Sequence, residues 1–293
     1  MKKRSDHIKT KLHAPEETGN GKGLSVDYIS DIHTEWWNGE EYDYAAHKKN
    51  DTVIVNGDLM TDTKSSLEVL KKIAGIYETV LFIDGNHEYR TKVENADGKA
   101  SYPYNFDFKA VQKILHEGIA KIPNVVYLAD KPFVKDGVAI IGRNGHWDYK
   151  IVENYDRKTA ISEGCKKYLM TDFKHAATFE KLARQDYYGL RDELIRFSND
   201  PTVHSIVVVT HTVPRAELLN WSDEVTPAKQ AQMGSSLMRN LLQYDTNNKV
   251  AYWLFGHQHA PKDQFIGRIR YHENPRGYHY DGSKDYKPST FKF

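Results

Sequence analysis

Residues 80–88 read Val80-Leu81-Phe82-Ile83-Asp84-Gly85-Asn86-His87-Glu88. An apolar run without polar alternation is typical of a strand that is buried on both faces. The polar residues that follow it offer an amide oxygen, an imidazole and a carboxylate, which are metal ligands and acid–base groups. The glycine before them suits a tight turn in which the backbone approaches an ion closely. The segment therefore predicts a buried strand that ends in a functional loop.

Four further polar clusters follow strand-like segments elsewhere in the chain. They are Asp31-Ile32-His33, Gly57-Asp58, Thr210-His211-Thr212 and Gly256-His257-Gln258-His259. The last three come after apolar runs at 53–56, 206–209 and 252–255, and the first follows a less regular segment at 24–29. Ligands in open α/β sheets collect outside the carboxyl ends of the strands, so we expect these clusters to meet in one crevice.

Together the clusters supply carboxylates, an amide oxygen and several imidazoles, a set that suits two hard-to-borderline divalent metal ions. Such a pair indicates hydrolysis of a phosphate ester, with a hydroxide bridging the two metals as the nucleophile. Each cluster alone is weak, because a lone histidine such as His211 is more often a hydrogen-bonded structural residue. All five in this order favour the metal-site interpretation.

With these motifs the chain resembles the calcineurin-like metallophosphoesterase family over residues 24–280. The resemblance implies an α/β fold, a four-layer α/β/β/α sandwich of two mixed β-sheets flanked by helices. It also implies a binuclear metal site between the sheet ends. The ligands of the first ion would be Asp31, His33 and His259, those of the second Asn86, His211 and His257. Asp58 would bridge the two ions.

The resemblance also suggests roles for two residues that are not ligands. His87 would be the histidine near the substrate, where it donates a proton to the leaving oxygen or stabilises the pentacoordinate state as imidazolium. We interpret Glu88 as a partner that orients a ligand or His87. The cofactors implied are two divalent metal ions, with Mn favoured and Fe, Zn, Ni, Co or Mg as alternatives.

The sequence departs from the protein Ser/Thr phosphatase branch of the family. That branch extends Gly-Asp into Gly-Asp-x-Val-Asp-Arg-Gly, whereas here Thr61 and Asp62 stand in place of the Asp-Arg pair. The difference argues against protein phosphatase activity and leaves His87 without that branch's aspartate partner. Asp62 is one residue out of register, and we expect it to begin the next helix as an N-terminal carboxylate.

Two other segments resemble bacterial and phage-type members of the family. Residues 140–148 run from a strand into a Gly-Trp loop that contains His146, for which a structural role is favoured over a site role. Residues 274–278 read Asn274-Pro275-Arg276-Gly277-Tyr278. They form either a simple turn or the rim of the site, where Arg276 would grip a phosphate or Tyr278 would contact the substrate.

The remaining pattern predicts a tail and a single domain. Residues 1–22 are polar and predict a flexible N-terminal tail, and residues 23–293 predict one calcineurin-like metallophosphoesterase domain. Apolar spacing predicts helices at 65–77, 106–118, 178–197 and 227–242, and turn residues predict hairpins at Asp136-Gly137 and Gly267-Arg268. The polar, aromatic stretches 89–104 and 147–173 are candidate specificity insertions, with ordinary packing as the alternative.

Composition fits an enzyme in a reducing compartment. Of the 293 residues, 39% are hydrophobic, which is enough for a substantial core. The formal net charge of +1 gives no global field that would draw the chain to nucleic acid or to a membrane. The single cysteine, Cys165, cannot form an internal disulfide, and no apolar stretch reaches the length of a membrane span. We therefore expect a cytoplasmic protein without membrane contact.

Three functions are compatible with these observations. The favoured one is a phosphodiesterase that acts on a nucleotide, a cyclic nucleotide or a nucleic-acid end. The alternative is a phosphomonoesterase that acts on a small phosphorylated metabolite or a phosphoprotein. A non-catalytic binding module is disfavoured, because His87 and the whole ligand set are present. The sequence leaves the oligomeric state open.

Overall fold

A computed structural model describes residues 23–38, 40–95, 100–168, 173–222, 225–280 and 285–293. The predicted tail at 1–22 lies outside the described residues, as do 96–99 and 169–172 within the two candidate specificity insertions. None of the described helices is both long and apolar enough to cross a membrane.

Strands and helices alternate along much of the described chain. The strands are β1 (Ser25–Ser30), β2 (Thr52–Asn56), β3 (Thr79–Ile83), β4 (Val93–Glu94), β5 (Ala100–Ser101), β6 (Val125–Tyr127), β7 (Phe133–Lys135), β8 (Val138–Arg143), β9 (Ser205–Thr210), β10 (Val250–Phe255), β11 (Lys262–Ile266), β12 (Ile269–Glu273) and β13 (Ser289–Lys292). The helices are α1 (Tyr44–His47), α2 (Thr63–Ala74), α3 (Phe108–Ile119), α4 (Arg157–Tyr168), α5 (Phe173–Asn199) and α6 (Pro227–Gln230). Short 3₁₀ helices span Thr34–Trp36, His87–Tyr89, Ala216–Leu218 and Met238–Tyr244.

Two mixed sheets carry the fold. The first has the order β13-β1-β2-β3-β6, in which β13 is antiparallel to β1 and the other neighbours are parallel. The second has the order β11-β12-β10-β9-β8-β7, parallel in the middle with antiparallel strands β11 and β7 at its edges. A separate hairpin pairs β4 with β5 inside the stretch 89–104.

Alternate residues of the central strands pack on opposite faces of their sheet. Ile54 of β2 and Val207 of β9 lie in the core between the two sheets. Val55 packs with the apolar faces of α2 and α3, and Val208 packs with α5. Both faces of each sheet are therefore covered, which explains why the apolar runs lack polar alternation. The predicted four-layer sandwich of two mixed sheets flanked by helices is confirmed.

Three of the four predicted helices form close to their expected positions, as α2, α3 and α5. Asp62 caps α2, since its carboxylate accepts a hydrogen bond of 2.9 Å from the backbone N–H of Ser65. This satisfies an N–H that would otherwise lack a partner in the first turn. Both predicted hairpins also form, and Asp136 and Gly137 take the positive φ values of 51° and 76° that a tight turn between strands needs.

The prediction of one continuous helix at 227–242 is wrong for the middle of that range. α6 ends at Gln230, and helical structure returns only in the 3₁₀ helix that begins at Met238. Between them Gly234 forms a β-bridge with Val213. A Cβ atom on Gly234 would lie 2.0 Å from the Val213 carbonyl oxygen, so this approach requires glycine. Pairing with a distant segment has overridden the local helical pattern.

Candidate metal centre

The predicted ligand side chains lie at the carboxyl ends of parallel strands from both sheets. Asp31 and His33 follow β1, Asp58 follows β2, and Asn86 follows β3. In the second sheet His211 follows β9, whereas His257 and His259 follow β10. Six of these seven side chains are buried, and His259 is partly buried. The strand ends thus bring residues from five separate loops into one buried cluster.

Ligand atoms approach closely within this cluster. Those of Asp31, His33 and His259 lie within 4.8 Å of one another, and so do those of Asp58, His211 and His257. The Asp58 carboxylate joins the two groups, because its Oδ2 lies 3.6 Å from His33 Nε2 and 3.3 Å from His211 Nε2. The Asn86 amide oxygen lies 3.1 Å from His211 Nε2.

The protonation pattern of the histidines fits cation binding. His211 Nδ1 donates to the Asn56 carbonyl at 3.0 Å, and His257 Nε2 donates to the Gln232 carbonyl at 3.2 Å. The remaining nitrogen of each ring is therefore the one that can offer a lone pair to a metal ion once it has lost any proton, the arrangement found in most metal-binding histidines. His33 Nε2 and His259 Nε2 face each other at 3.0 Å, so a cation between them would satisfy both rings. The buried Asp31 Oδ2 has no hydrogen-bond partner, which also fits a role as a ligand. The residues present thus suit divalent ions that accept imidazole and oxygen ligands.

The backbone of the cluster adopts an unusual conformation. Five residues have φ between 46° and 76°, in the left-handed region that L-residues with side chains rarely occupy: Asp31, His33, Asp58, His257 and His259. Each such residue costs about 1–3 kcal/mol, and such strain concentrates at functional sites. Hydrogen bonds between the loops hold it in place, including His33 N to Asp58 O at 3.0 Å and His257 N to Asp31 Oδ1 at 3.0 Å.

Glu88 lies behind this cluster and binds the loop that carries Asp58. One carboxylate oxygen accepts from Asp58 N at 3.0 Å and Gly85 N at 2.7 Å. The other accepts from Leu59 N and from Ser66 Oγ, both at 3.0 Å. Burial, reinforced by the Asp58 charge, raises the pKa of Glu88 to about 8. The geometry therefore connects Glu88 to the backbone of the predicted bridging ligand rather than to the His87 ring.

The electrostatics of the cluster favour bound positive charge. Burial works against a charged imidazole, yet the Asp58 and Asp31 carboxylates raise the pKa of His211 to about 10. Burial raises the pKa of Glu273, and the nearby Asp31 carboxylate raises it further. Buried carboxylates that repel one another in this way are stabilised when cations lie between them.

His87 borders the cluster. Its Nδ1 lies 3.0 Å from Thr61 Oγ1, and its Nε2 lies 3.3 Å from the Tyr278 hydroxyl. Burial lowers the pKa of His87 to about 3, although the Asp58 carboxylate acts in the opposite direction. The Tyr278 ring packs over His33 and His259, with centroids 4.6 and 4.4 Å away. His87 and Tyr278 therefore lie beside the cluster.

Of the two interpretations of residues 274–278, the one that puts the Arg276 side chain at the rim of the site is wrong. This side chain is only 5% exposed, and its guanidinium lies 3.9 Å from the centre of the Trp37 ring. The reason is that the chain after β12 runs back along β1, where Arg276 N donates to the Ser30 carbonyl at 3.1 Å. Its side chain is thus directed into an aromatic pocket.

His146 makes contacts of a structural kind. Its Nδ1 lies 2.7 Å from Asp186 Oδ2, and the same oxygen accepts from the backbone N–H groups of Gly145 and His146. The His146 ring packs near Tyr89 and Phe179, at 5.7 and 6.2 Å between centroids. Asp186 therefore holds the loop after β8, and His146 is part of that arrangement.

Two residues that contact the site, Glu35 and Thr61, were not assigned to it from the sequence, whereas a third, Tyr104, lies in the candidate specificity stretch 89–104. The Thr61 hydroxyl donates to the Glu35 carboxylate, and the Tyr104 hydroxyl accepts from Asn86 Nδ2 at 3.1 Å. For Thr61 a signal was present, because it stands where protein phosphatases have aspartate. Arg90 stacks on Tyr104, with its guanidinium 4.4 Å from the ring centre.

Two facing sheets with a buried carboxylate–imidazole cluster at their strand ends define a protein of the metallophosphoesterase class. The profile described as calcineurin-like phosphoesterase matches residues 24–261, and the chain belongs to this family. The family and the site together identify a metal-dependent phosphoesterase, a hydrolase that binds divalent metal ions. The resemblance predicted from the sequence motifs is confirmed.

Similar proteins span nearly the same length. An uncharacterized protein of Acanthamoeba polyphaga mimivirus is 21% identical over 271 residues, which cover 87% of this chain and 91% of that protein. The solved phosphopantetheinyl hydrolase of Mycobacterium tuberculosis has a TM-score of 0.65 at 17% identity, covering 89% of this chain and 92% of its own. A dimetal phosphatase from Danio rerio has a TM-score of 0.49 at 12% identity, covering 86% and 87%. The likeness to the hydrolase shows a shared fold.

Proposed function

We propose that the chain binds two divalent metal ions and hydrolyses a phosphate ester, with a phosphodiester as the favoured substrate. The first ion would be held by Asp31, His33 and His259, the second by Asn86, His211 and His257. The observation that carries the proposal is the position of the Asp58 carboxylate, within 3.6 Å of His33 Nε2 and 3.3 Å of His211 Nε2. A carboxylate between two ligand groups is suited to bridge two cations. Mn is the favoured metal, with Fe, Zn, Ni, Co and Mg as alternatives.

When bound, the two ions would supply an activated water for attack and would offset charge on the phosphoryl oxygens. The protein's own groups would do the rest. His87 lies on the side of the cluster where Tyr278 forms a wall. As an imidazolium, with its Nδ1–H directed at Thr61, His87 would donate the proton on Nε2 to the leaving oxygen and become neutral. Glu88 would hold the Asp58 loop in register through its backbone hydrogen bonds.

An aromatic rim beside the cluster supports a substrate with a planar group. Trp36, Tyr278 and Tyr280 form a continuous set, with 5.2 Å between the centroids of the first two rings and 5.3 Å between those of the last two. Trp36 is 37% exposed and Tyr280 is 67% exposed, so a ligand can reach them. Aromatic rims of this kind stack nucleic-acid bases. This favours a nucleotide or another small phosphorylated molecule as the substrate.

The absence of the Asp-Arg pair also bears on the substrate. Thr61 and Asp62 stand in its place, and Asp62 is engaged as the cap of α2. Arg90 stacks on Tyr104, whose hydroxyl accepts a hydrogen bond from Asn86 of the second ligand group. The missing Asp-Arg pair argues against a phosphoprotein as the substrate. A phosphomonoester substrate is the second candidate, and the intact cluster argues against a non-catalytic binding module.

The test is hydrolysis of bis-p-nitrophenyl phosphate beside p-nitrophenyl phosphate by the purified protein with Mn²⁺. A higher kcat/KM for the diester would support the proposal, and a higher value for the monoester would overturn the diester assignment. Asp58→Asn serves as the control, because activity that belongs to this site must disappear with it. A phosphopantetheinyl ester belongs in the next substrate screen, because the Mycobacterium tuberculosis protein of similar fold is a phosphopantetheinyl hydrolase.

A further inference from the structure

A buried series of polar side chains lies behind His87. Thr61 Oγ1 is 3.0 Å from His87 Nδ1, and the Thr61 hydroxyl donates to the Glu35 carboxylate. Thr61 is 2% exposed and His87 is 8% exposed, and the Glu35 side chain is 10% exposed. Since a hydroxyl has one proton, Thr61 must accept its second hydrogen bond, so the His87 Nδ1–H is the donor.

The direction of these hydrogen bonds determines which His87 nitrogen faces the substrate side. A proton on Nδ1 points toward Thr61, and Nε2 on the opposite side of the ring faces the Tyr278 hydroxyl at 3.3 Å. We propose that Glu35, acting through Thr61, positions His87 with Nε2 directed at the leaving group. The inference rests on the proposed function, in which His87 acts on that group.

Thr61 stands at the position where protein phosphatases have an aspartate. In those proteins the aspartate is the partner of the histidine that corresponds to His87. Here the carboxylate comes from a different loop, the 3₁₀ helix Thr34–Trp36 after β1, and the Thr61 hydroxyl spans the gap. The carboxylate–imidazole pairing is thus replaced by a carboxylate–hydroxyl–imidazole series. Orienting partners of this kind are typically worth 10- to 100-fold in activity, by analogy with those of metal-bound histidines.

Glu35 also lies near a second histidine, so the test must separate its effect on His87 from its effect on that residue. Its Oε1 lies 3.7 Å from Nδ1 of His33, a predicted ligand. A change at Glu35 alone therefore acts on two histidines, whereas a change at Thr61 acts on the hydroxyl alone. Thr61→Val removes the hydroxyl at nearly constant volume, and Thr61→Ser is the matched control because it keeps the hydroxyl.

The experiment measures kcat for these variants, alone and combined with His87→Asn, with an alkyl phosphate ester, because its poor leaving group needs a proton. Thr61→Val should lower kcat about 10- to 100-fold while Thr61→Ser keeps most of it. In the His87→Asn background Thr61→Val should change kcat by less than about two-fold, because the group it positions is gone. Equal losses in both backgrounds, or no loss in the otherwise unchanged protein, would overturn the proposal.

A second readout does not depend on catalysis. In protein labelled with ¹⁵N-histidine, long-range ¹H–¹⁵N spectra report which His87 nitrogen carries the proton. The unchanged protein should show a protonated Nδ1, and both Thr61→Val and Glu35→Gln should shift that signal. Identical His87 signals in all three proteins would overturn the series of contacts. If no ester is hydrolysed, the proposed function fails, and these spectra still decide the role of Glu35 and Thr61.

Discussion

Gly85→Ala is the sharpest test of how the loops position the Asp58 carboxylate. A Cβ atom on Gly85 would lie 2.1 Å from Asp58 Oδ1 and 2.7 Å from Asp58 N. Ordinary contacts begin at 3.4 Å, so the carboxylate or the backbone must move by about 1.3 Å. The same carboxylate oxygen accepts the His87 backbone N–H at 2.8 Å, so the displacement would also disturb the loop that carries His87.

The size of this displacement sets the expected effects. A misplacement of about 1 Å in a reacting constellation costs on the order of 100-fold in rate. Overpacking of a dense buried site costs about 1–3 kcal/mol in the free energy of unfolding. We therefore expect Gly85→Ala to fold, to bind metal ions more weakly and to lose about 100-fold in kcat/KM toward an aryl phosphate ester.

The assays are steady-state hydrolysis, calorimetric titration with Mn²⁺ and urea unfolding. Gly75→Ala is the matched control, because its Cβ would meet nothing closer than 3.4 Å and its backbone is right-handed helical. That change should be neutral or should stabilise the protein by up to about 1 kcal/mol. A Gly85→Ala protein with unchanged metal affinity and unchanged kcat/KM would refute the assignment of Asp58 to the centre.

Four further outcomes are expected. Asp58→Asn should abolish hydrolysis and lower the metal content measured by mass spectrometry; a fully active variant that holds two ions would contradict the bridging role. Arg90→Ala should raise KM by about 10-fold through loss of a charged hydrogen bond to the substrate. Arg90→Lys should give an intermediate KM, and a KM of Arg90→Ala equal to that of the unchanged protein would exclude the contact. Chelation should inactivate the protein and added Mn²⁺ should restore it, whereas activity in verified metal-free protein would contradict a metal-dependent reaction. Burial lowers the pKa of His272 in β12 below the ordinary histidine value of 6.5. As the pH falls through 6.5, His272 is therefore protonated in the unfolded chain before it is protonated in the folded one. The free energy of unfolding should then decrease toward acid pH, and His272→Gln should flatten this slope in urea titrations; an unchanged slope would contradict it.

Local sequence signals were sufficient for much of the scaffold. The apolar runs before Asp58 and His211 predict β2 and β9, because a strand buried on both faces needs apolar residues at every position. Asp62 at the start of α2 follows from capping chemistry, which involves only neighbouring residues. These features depend on contacts within a few residues, which a single sequence displays directly.

Other features depended on segments that are distant in the chain. The helix expected at 227–242 is interrupted because Gly234 pairs with Val213. β13 forms at the edge of the first sheet because its Phe291 pairs with Val26 of β1, a partner that no periodicity near the C-terminus reveals. Arg276 is buried against Trp37 because the return along β1 directs it there.

Motifs and hydrophobic patterns were enough to predict the family, the strands and a set of candidate metal ligands that the fold brings together, because these signals are local. The folded arrangement was needed to establish which groups surround those residues. Glu35 reaches His87 through Thr61, and Glu88 holds the backbone of Asp58, across loops that sequence order leaves independent. The physical reason is that hydrogen-bond partners in a buried site are set by the packing of strand ends, which the spacing of residues along a chain does not encode.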